Sequence, residues 1–174
     1  MNQTAPQLTL TPPNQRVRLG VKKFAELKRS QDVIETLAWF TVVLVVAMFL
    51  LDGGIALFGN LTDALGAISR LTALVGTDLL LIHTLLVARV PWLDKLYGHD
   101  KVTLAHKKLG KPILYLVLAH FMSSVWQYSI SENNNIIDEF FALVTNIGDL
   151  LTASLALGFM ILVVVTSLNF ARKD

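Results

Sequence analysis

Residues 33–51 read VIETLAWFTVVLVVAMFLL, a run in which Glu35 is the only charge. A helix needs about 20 predominantly apolar residues to cross the hydrocarbon core of a bilayer, and this run supplies them. Three more runs of the same kind follow, at about Leu71–Val90, Leu109–Ile130 and Ile147–Phe170. None alternates polar and apolar positions as a strand would. Inside hydrocarbon, a single segment can satisfy its backbone polar groups only as a helix. The expected fold is therefore all-α, a polytopic membrane bundle of four transmembrane helices joined by loops of roughly 17–20 residues.

Composition agrees. The 174 residues are 53% hydrophobic and 16% charged, where an average soluble domain carries about 25% charged residues. A net charge of +2 could hint at nucleic acid, but the basic residues flank the apolar runs. Topology explains them, and no nucleic-acid partner is expected. The absence of cysteine excludes disulfides, thiolate metal sites and a thiol nucleophile. Histidine is left as the main candidate ligand.

Orientation follows from Lys and Arg. Six precede the first span (Arg16, Arg18, Lys22, Lys23, Lys28, Arg29), and Arg70 is alone in the first loop. Six more sit in or beside the second loop (Arg89, Lys95, Lys101, Lys107, Lys108, Lys111), and Arg172 and Lys173 end the chain. The third loop has none and carries Glu132, Asp138, Glu139 and Asp149. Fourteen of the fifteen thus fall on one face, which the positive-inside rule makes cytoplasmic. The expectation is both termini inside, in the cell membrane. Residues 1–32 form a basic cytoplasmic segment, its first 14 read as a disordered tail, and residues 33–174 form the membrane domain. The polar stretch before the first span is too long for the n-region of a cleavable signal. Val17, Leu19, Val21, Phe24 and Leu27, set among six bases, fit either an interfacial helix on an anionic leaflet or a solvated flank.

The histidines are His83, His99, His106 and His120. If the third helix starts near Thr103, His106 and His120 share it. Fourteen residues at about 100° each is four turns less about 40°, so both face nearly the same way, about 21 Å apart along the axis. That geometry suits two stacked haems, one per leaflet, since imidazole is a natural axial ligand and bundle cores hold such groups. The plainer alternative keeps His106 as an interfacial base and His120 as a hydrogen-bond partner of a neighbouring helix. Against it, ionisable groups at membrane depth are costly and are functional candidates by default.

Residues 76–120 read GTDLLLIHTLLVARVPWLDKLYGHDKVTLAHKKLGKPILYLVLAH. This stretch resembles the ferric reductase-like transmembrane domain, the haem-bearing membrane part shared with NADPH oxidases. The resemblance is carried by Ala88-Arg89-Val90-Pro91, by Leu96-Tyr97-Gly98-His99-Asp100 and by His106-Lys107-Lys108-Leu109-Gly110. His120 follows fourteen residues after His106, and Val165-Thr166-Ser167-Leu168 with Ala171-Arg172-Lys173 looks like the end of the family's next helix. It extends from about Leu71 to the C-terminus. It implies two haems b, His106 as ligand of the inner one and His120 of the outer. Electrons would come from a cytoplasmic flavin and pass to an outer acceptor such as ferric iron or oxygen.

One departure matters. The family's second histidine pair lies on a further helix, and its flavin and nicotinamide domains follow that. This sequence contains neither, and no glycine-rich nucleotide fingerprint. The missing ligands are expected from a following segment, from a partner subunit, or from a second copy in a homodimer. Flavin and NAD(P)H chemistry is expected of a missing domain or a cytoplasmic flavin reductase. The competing function is a haem-less scaffold, assembly or sensory subunit. A small transporter ranks lower, since no pair of broken helices occurs at corresponding positions.

Secondary candidates complete the reading. His83, six residues before Arg89 and so about 9 Å inside the boundary, is either a ligand of the inner haem or a bundle-lining residue, at a depth between the two haem levels. Arg89 either neutralises a haem propionate or snorkels. His99 is expected in solvent. Asp78, near the outer end of the second span, either pairs with Arg70, admits protons or reaches water. Pro112 should fall in the first turns of its helix, where proline is tolerated. Gly76, Gly148, Ala153, Ser154, Ala156 and Gly158 should mark close helix approaches.

Overall fold

A computed structural model describes the backbone of residues 13–88 and 90–171, and the side chains of 21–88 and 90–167. All its elements are helical: α1 (Pro13–Leu51), a 3-10 stretch (Gly54–Gly59), α2 (Leu61–Val87), α3 (Pro91–Tyr97), α4 (His99–Ser131), α5 (Ile136–Asn146) and α6 (Gly148–Ala171). Four helices are long and apolar enough to cross a membrane: Val21–Leu51, Leu61–Val87, His99–Ser131 and Gly148–Ser167. The expected all-α bundle of four spans is the observed architecture.

The helices reach further than the apolar runs. α2 starts ten residues before Leu71 and α4 ten before Leu109. Hydropathy marks the stretch that meets lipid, whereas the helix continues as long as its backbone bonds can propagate. Pro112 consequently lies well inside α4 rather than in its first turns. The third loop contains a helix of its own. In α5 the apolar residues Ile136, Phe140 and Leu143 recur at helical spacing, and eleven residues are too few to span. Its start is capped by Asn135, whose side chain accepts from the Ile137 amide at 3.3 Å. Asn134 donates to the buried Glu139 carboxylate at 2.9 Å, and Phe140 packs edge-on against Phe121 of α4 at 5.8 Å.

Two compact units meet within α1, residues 1–37 and 38–174. In the first, the described side chains Val21, Phe24 and Leu27 are exposed along with Lys22, Lys23, Lys28 and Arg29; the tail read as disordered lies outside the described residues, apart from the backbone of Pro13 and Asn14. The second unit is organised around α2 and α4, its most extensive helix pair. They run antiparallel, as their contacts show. Gly66 faces Gln127, Gly76 faces Leu116, and His83 lies beside Gly110. Lipid is as apolar as leucine, so close packing over small residues drives helix association in membranes. Gly66, Ala67, Ser69 and Gly76 on α2 are all buried.

Gly76 thus marks a close approach as expected. Gly148 and Gly158 do not, since an added Cβ at either would meet nothing within 4 Å. α6 is the least buried span, although its Ala153 and Ser154 face α4 and α5 across a small cavity. At the α3–α4 corner Gly98 takes φ 81°, a conformation open to glycine and strained for other residues. The chain can thereby start α4 at His99 directly after α3.

Candidate functional site

The α2–α4 pair brings the sequence's histidines to two levels. At the first, His83 and His106 stack face to face, ring centroids 4.0 Å apart and planes 18° from parallel. Gly110, one turn beyond His106, lies beside His83; a Cβ there would sit 3.8 Å from His83 Nε2, an ordinary contact. His83 therefore lies at the depth of His106, not between the two levels as counting from Arg89 suggests. The reason is the early start of α4, which sets His106 about 10 Å in from the helix end, while His83 lies about 6 Å in from the end of α2. His106 Nδ1 is buried with no hydrogen-bond partner. It lines a cavity of about 220 Å³ shared with Leu86, Asp94, His99 and Thr103. Asp94 Oδ1 is likewise unpartnered, 3.9 Å from Nδ1 of the exposed His99.

At the second level His120 is tethered across to α2. Its Nδ1 lies 2.9 Å from the Ser69 carbonyl oxygen and 3.0 Å from Ser69 Oγ. A carbonyl can only accept, so this contact is a hydrogen bond in the tautomer with the hydrogen on Nδ1 and the lone pair on Nε2. Ser69 Oγ is 2.6 Å from Ser124 Oγ, and Ser124 donates to the His120 carbonyl at 2.8 Å. His120 also lines a cavity of about 180 Å³ between α4, α5 and α6, walled largely by Val117, Phe121, Leu143, Leu150 and Leu157. The polar Ser154 Oγ on α6 lines the same cavity, buried and without a partner.

These two levels answer differently to an iron porphyrin. His120 fits an axial ligand. One ring nitrogen is tied to a carbonyl and the ring lines a largely apolar cavity, and such a tether is the usual way a metal-binding imidazole is oriented. The His83–His106 stack does not fit a pair of axial ligands on one haem, because rings in face-to-face contact leave no gap for a macrocycle between them. His106 by itself keeps an unpartnered buried nitrogen. Among the described residues, no group of three or more His, Asp or Glu is placed to hold a metal ion.

Of the remaining candidates, Arg89 lies outside the described residues. Asp78 is half-buried and accepts from Thr41 Oγ1 of α1 at 3.1 Å. Because α2 begins at Leu61, Asp78 sits in mid-helix rather than near an end. Its partner is Thr41, not the exposed Arg70. Ser69, Ser124 and Ser154 were not singled out as site residues by the sequence. Ser69 fell in a segment read as loop, and the serine four residues after His120 resembles any serine bonding back to its own helix.

No curated protein and no solved structure matches the chain. Residues 72–174 match the family model described as ferric reductase like transmembrane component. That match covers more than half of the sequence and includes His83, His106, His120 and the α2–α4 pair from Thr72 onward, so the chain belongs to the ferric reductase-like transmembrane component family.

Proposed function

We infer that the chain is a haem-b-carrying transmembrane electron-transfer component of a ferric reductase-type oxidoreductase. The observation that carries this is His120, whose Nδ1 is tied to Ser69 while the ring lines an apolar cavity. Haem supplies a one-electron carrier whose potential responds to axial ligand, hydrogen bonding and burial. The residues that would hold it are His120 at the outer level and His106 at the inner one. Val117, Phe121, Leu143 and Leu157 would exclude water from the outer group, and Arg89 would face an inner propionate. The second axial ligands would come from another helix, a partner subunit or a second copy of the chain. A cytoplasmic flavoprotein would deliver electrons taken from NAD(P)H, and ferric iron or oxygen would accept them outside.

One observation favours a second reading for the inner level. The stacked His83–His106 pair is what a bundle that holds no haem there would contain, with His83 closing the site. A reduced-minus-oxidised spectrum of purified protein from haem-supplemented cells tests the proposal. A sharp α-band with about one haem per chain supports the outer site alone, and about two supports both levels. A colourless preparation overturns the redox reading and leaves the scaffold or assembly role.

Sidedness is open to a direct test because the chain has no cysteine. Lys101→Cys should react with a membrane-impermeant maleimide only from the cytoplasmic side, and Asp138→Cys only from outside. Both positions are exposed. The reverse pattern would refute the both-ends-inside orientation, the interior location of the basic loop included.

A further inference from the structure

We propose that Ser69 and Ser124 act together as a proton lock on His120, positioning residues that keep its Nδ1 protonated and so hold Nε2 free of hydrogen. This rests on the reading of His120 as a haem ligand and adds what keeps the ring able to serve as one. The Ser69 carbonyl favours the Nδ1–H form, but it is a shared acceptor. Within its helix it already accepts a backbone amide, and Thr72 Oγ1, whose shorter bond goes to the Ile68 carbonyl at 2.7 Å, lies 3.0 Å from it. Ser69 Oγ, 3.0 Å from Nδ1, could therefore compete by donating its own hydrogen to Nδ1. That would move the ring's hydrogen to Nε2, the nitrogen required for iron.

The second serine blocks this alternative. In the lock Ser124 Oγ–H is assigned to the His120 carbonyl, 2.8 Å away. Its lone pairs therefore face Ser69 Oγ at 2.6 Å as acceptors, and the Ser69 hydrogen goes there. Both hydroxyl hydrogens are thus drawn away from Nδ1, which must donate to whatever surrounds it. The consequence is specific. Removing Ser124 alone releases the Ser69 hydrogen onto Nδ1. Removing Ser69 alone deletes the competitor but keeps the backbone carbonyl. Removing both should restore the wild-type tautomer.

The test uses the full chain, ¹⁵N-labelled at histidine, in detergent and without haem, at a pH where imidazole is neutral. His120→Gln identifies the His120 resonances by their loss. In wild type, Ser69→Ala and the double variant, Nδ1 should carry the hydrogen predominantly. In Ser124→Ala the ratio of the two forms should fall by roughly 2- to 10-fold, what one net hydrogen bond is worth. Haem affinity, measured in parallel, should fall by about tenfold in Ser124→Ala, as for other partners of metal-bound histidines, and recover in the double variant. An unchanged tautomer ratio in Ser124→Ala, or a double variant more perturbed than either single one, overturns the lock. Full haem retention in His120→Gln overturns the ligand reading instead, and the tautomer ratios still decide the lock independently.

Discussion

Replacing His120 with alanine is expected to empty the proposed outer haem site while the bundle stays folded, because under the proposed function this ring has two separable roles. As a ligand it has no understudy. Besides hydrocarbon, the cavity it lines offers the hydroxyl-bearing side chains of Ser124, Tyr128 and Ser154, and a neutral hydroxyl binds haem iron far more weakly than imidazole does. Loss of a hydrogen-bonding partner behind a metal ligand already costs 10–100-fold, so loss of the ligand itself should exceed about tenfold in haem content at that level. As a tether it is cheaper to lose. An interhelical hydrogen bond in a membrane bundle is worth about 0.6 kcal/mol on average and about 1.7 at most. Haem per chain, together with a thermal melt in detergent, separates the two effects. His120→Gln sharpens the comparison, since its amide can still donate to the Ser69 carbonyl but offers no ring nitrogen; it should melt like wild type and bind haem like the alanine variant. His83→Ala should leave the outer haem unchanged, because His83 stacks on His106 and not near the second cavity. Wild-type haem content in His120→Ala would remove this residue from the site.

What the sequence revealed and what it hid follow from the kind of signal each feature leaves. Four spans were legible because lipid imposes length and apolarity on every crossing. The common facing of His106 and His120 was legible because it lies within one helix, where geometry is fixed by residue count. The partnership of His83 with His106 was not, since it depends on the relative register of two helices, and register is set by packing between them, as at Gly76 against Leu116, rather than by hydropathy. Ser69 was hidden for a related reason. The helix containing it begins at Leu61, ten residues before the apolar run, so the residue that tethers His120 looked like part of a loop. Asp94 was equally silent, a lone acid whose buried oxygen becomes notable only when α3 sets it beside the His106 cavity.

That register makes Gly76 the position with the widest expected consequences. It lies seven residues after Ser69 and seven before His83, two turns from each, so it is the close-contact point between the two histidine levels. A Cβ at Gly76 would stand 3.4 Å from Leu116 Cβ and 4.0 Å from Val117 Cγ2. A methyl group therefore just fits, and Gly76→Ala should retain near-wild-type stability. The further carbons of leucine have no such room, and α2 would have to move away from α4. Overpacking of this kind costs roughly 1–3 kcal/mol. The shift would also stretch the His83–His106 stack and the Ser69–His120 hydrogen bond, because both bridge the same two helices. Gly76→Leu should thus lower the melting temperature and reduce haem binding at His120, although it touches no ligand. Two comparisons isolate the cause. At Gly66 an added Cβ stands 2.6 Å from Nε2 of Gln127, the far end of a flexible side chain that can swing aside at little cost in Gly66→Ala. At Gly158, on α6, an added Cβ meets nothing within 4 Å, and Gly158→Leu should behave as wild type. If Gly76→Leu melted and bound haem as these two do, the α2–α4 contact could not be the scaffold that sets the histidine levels.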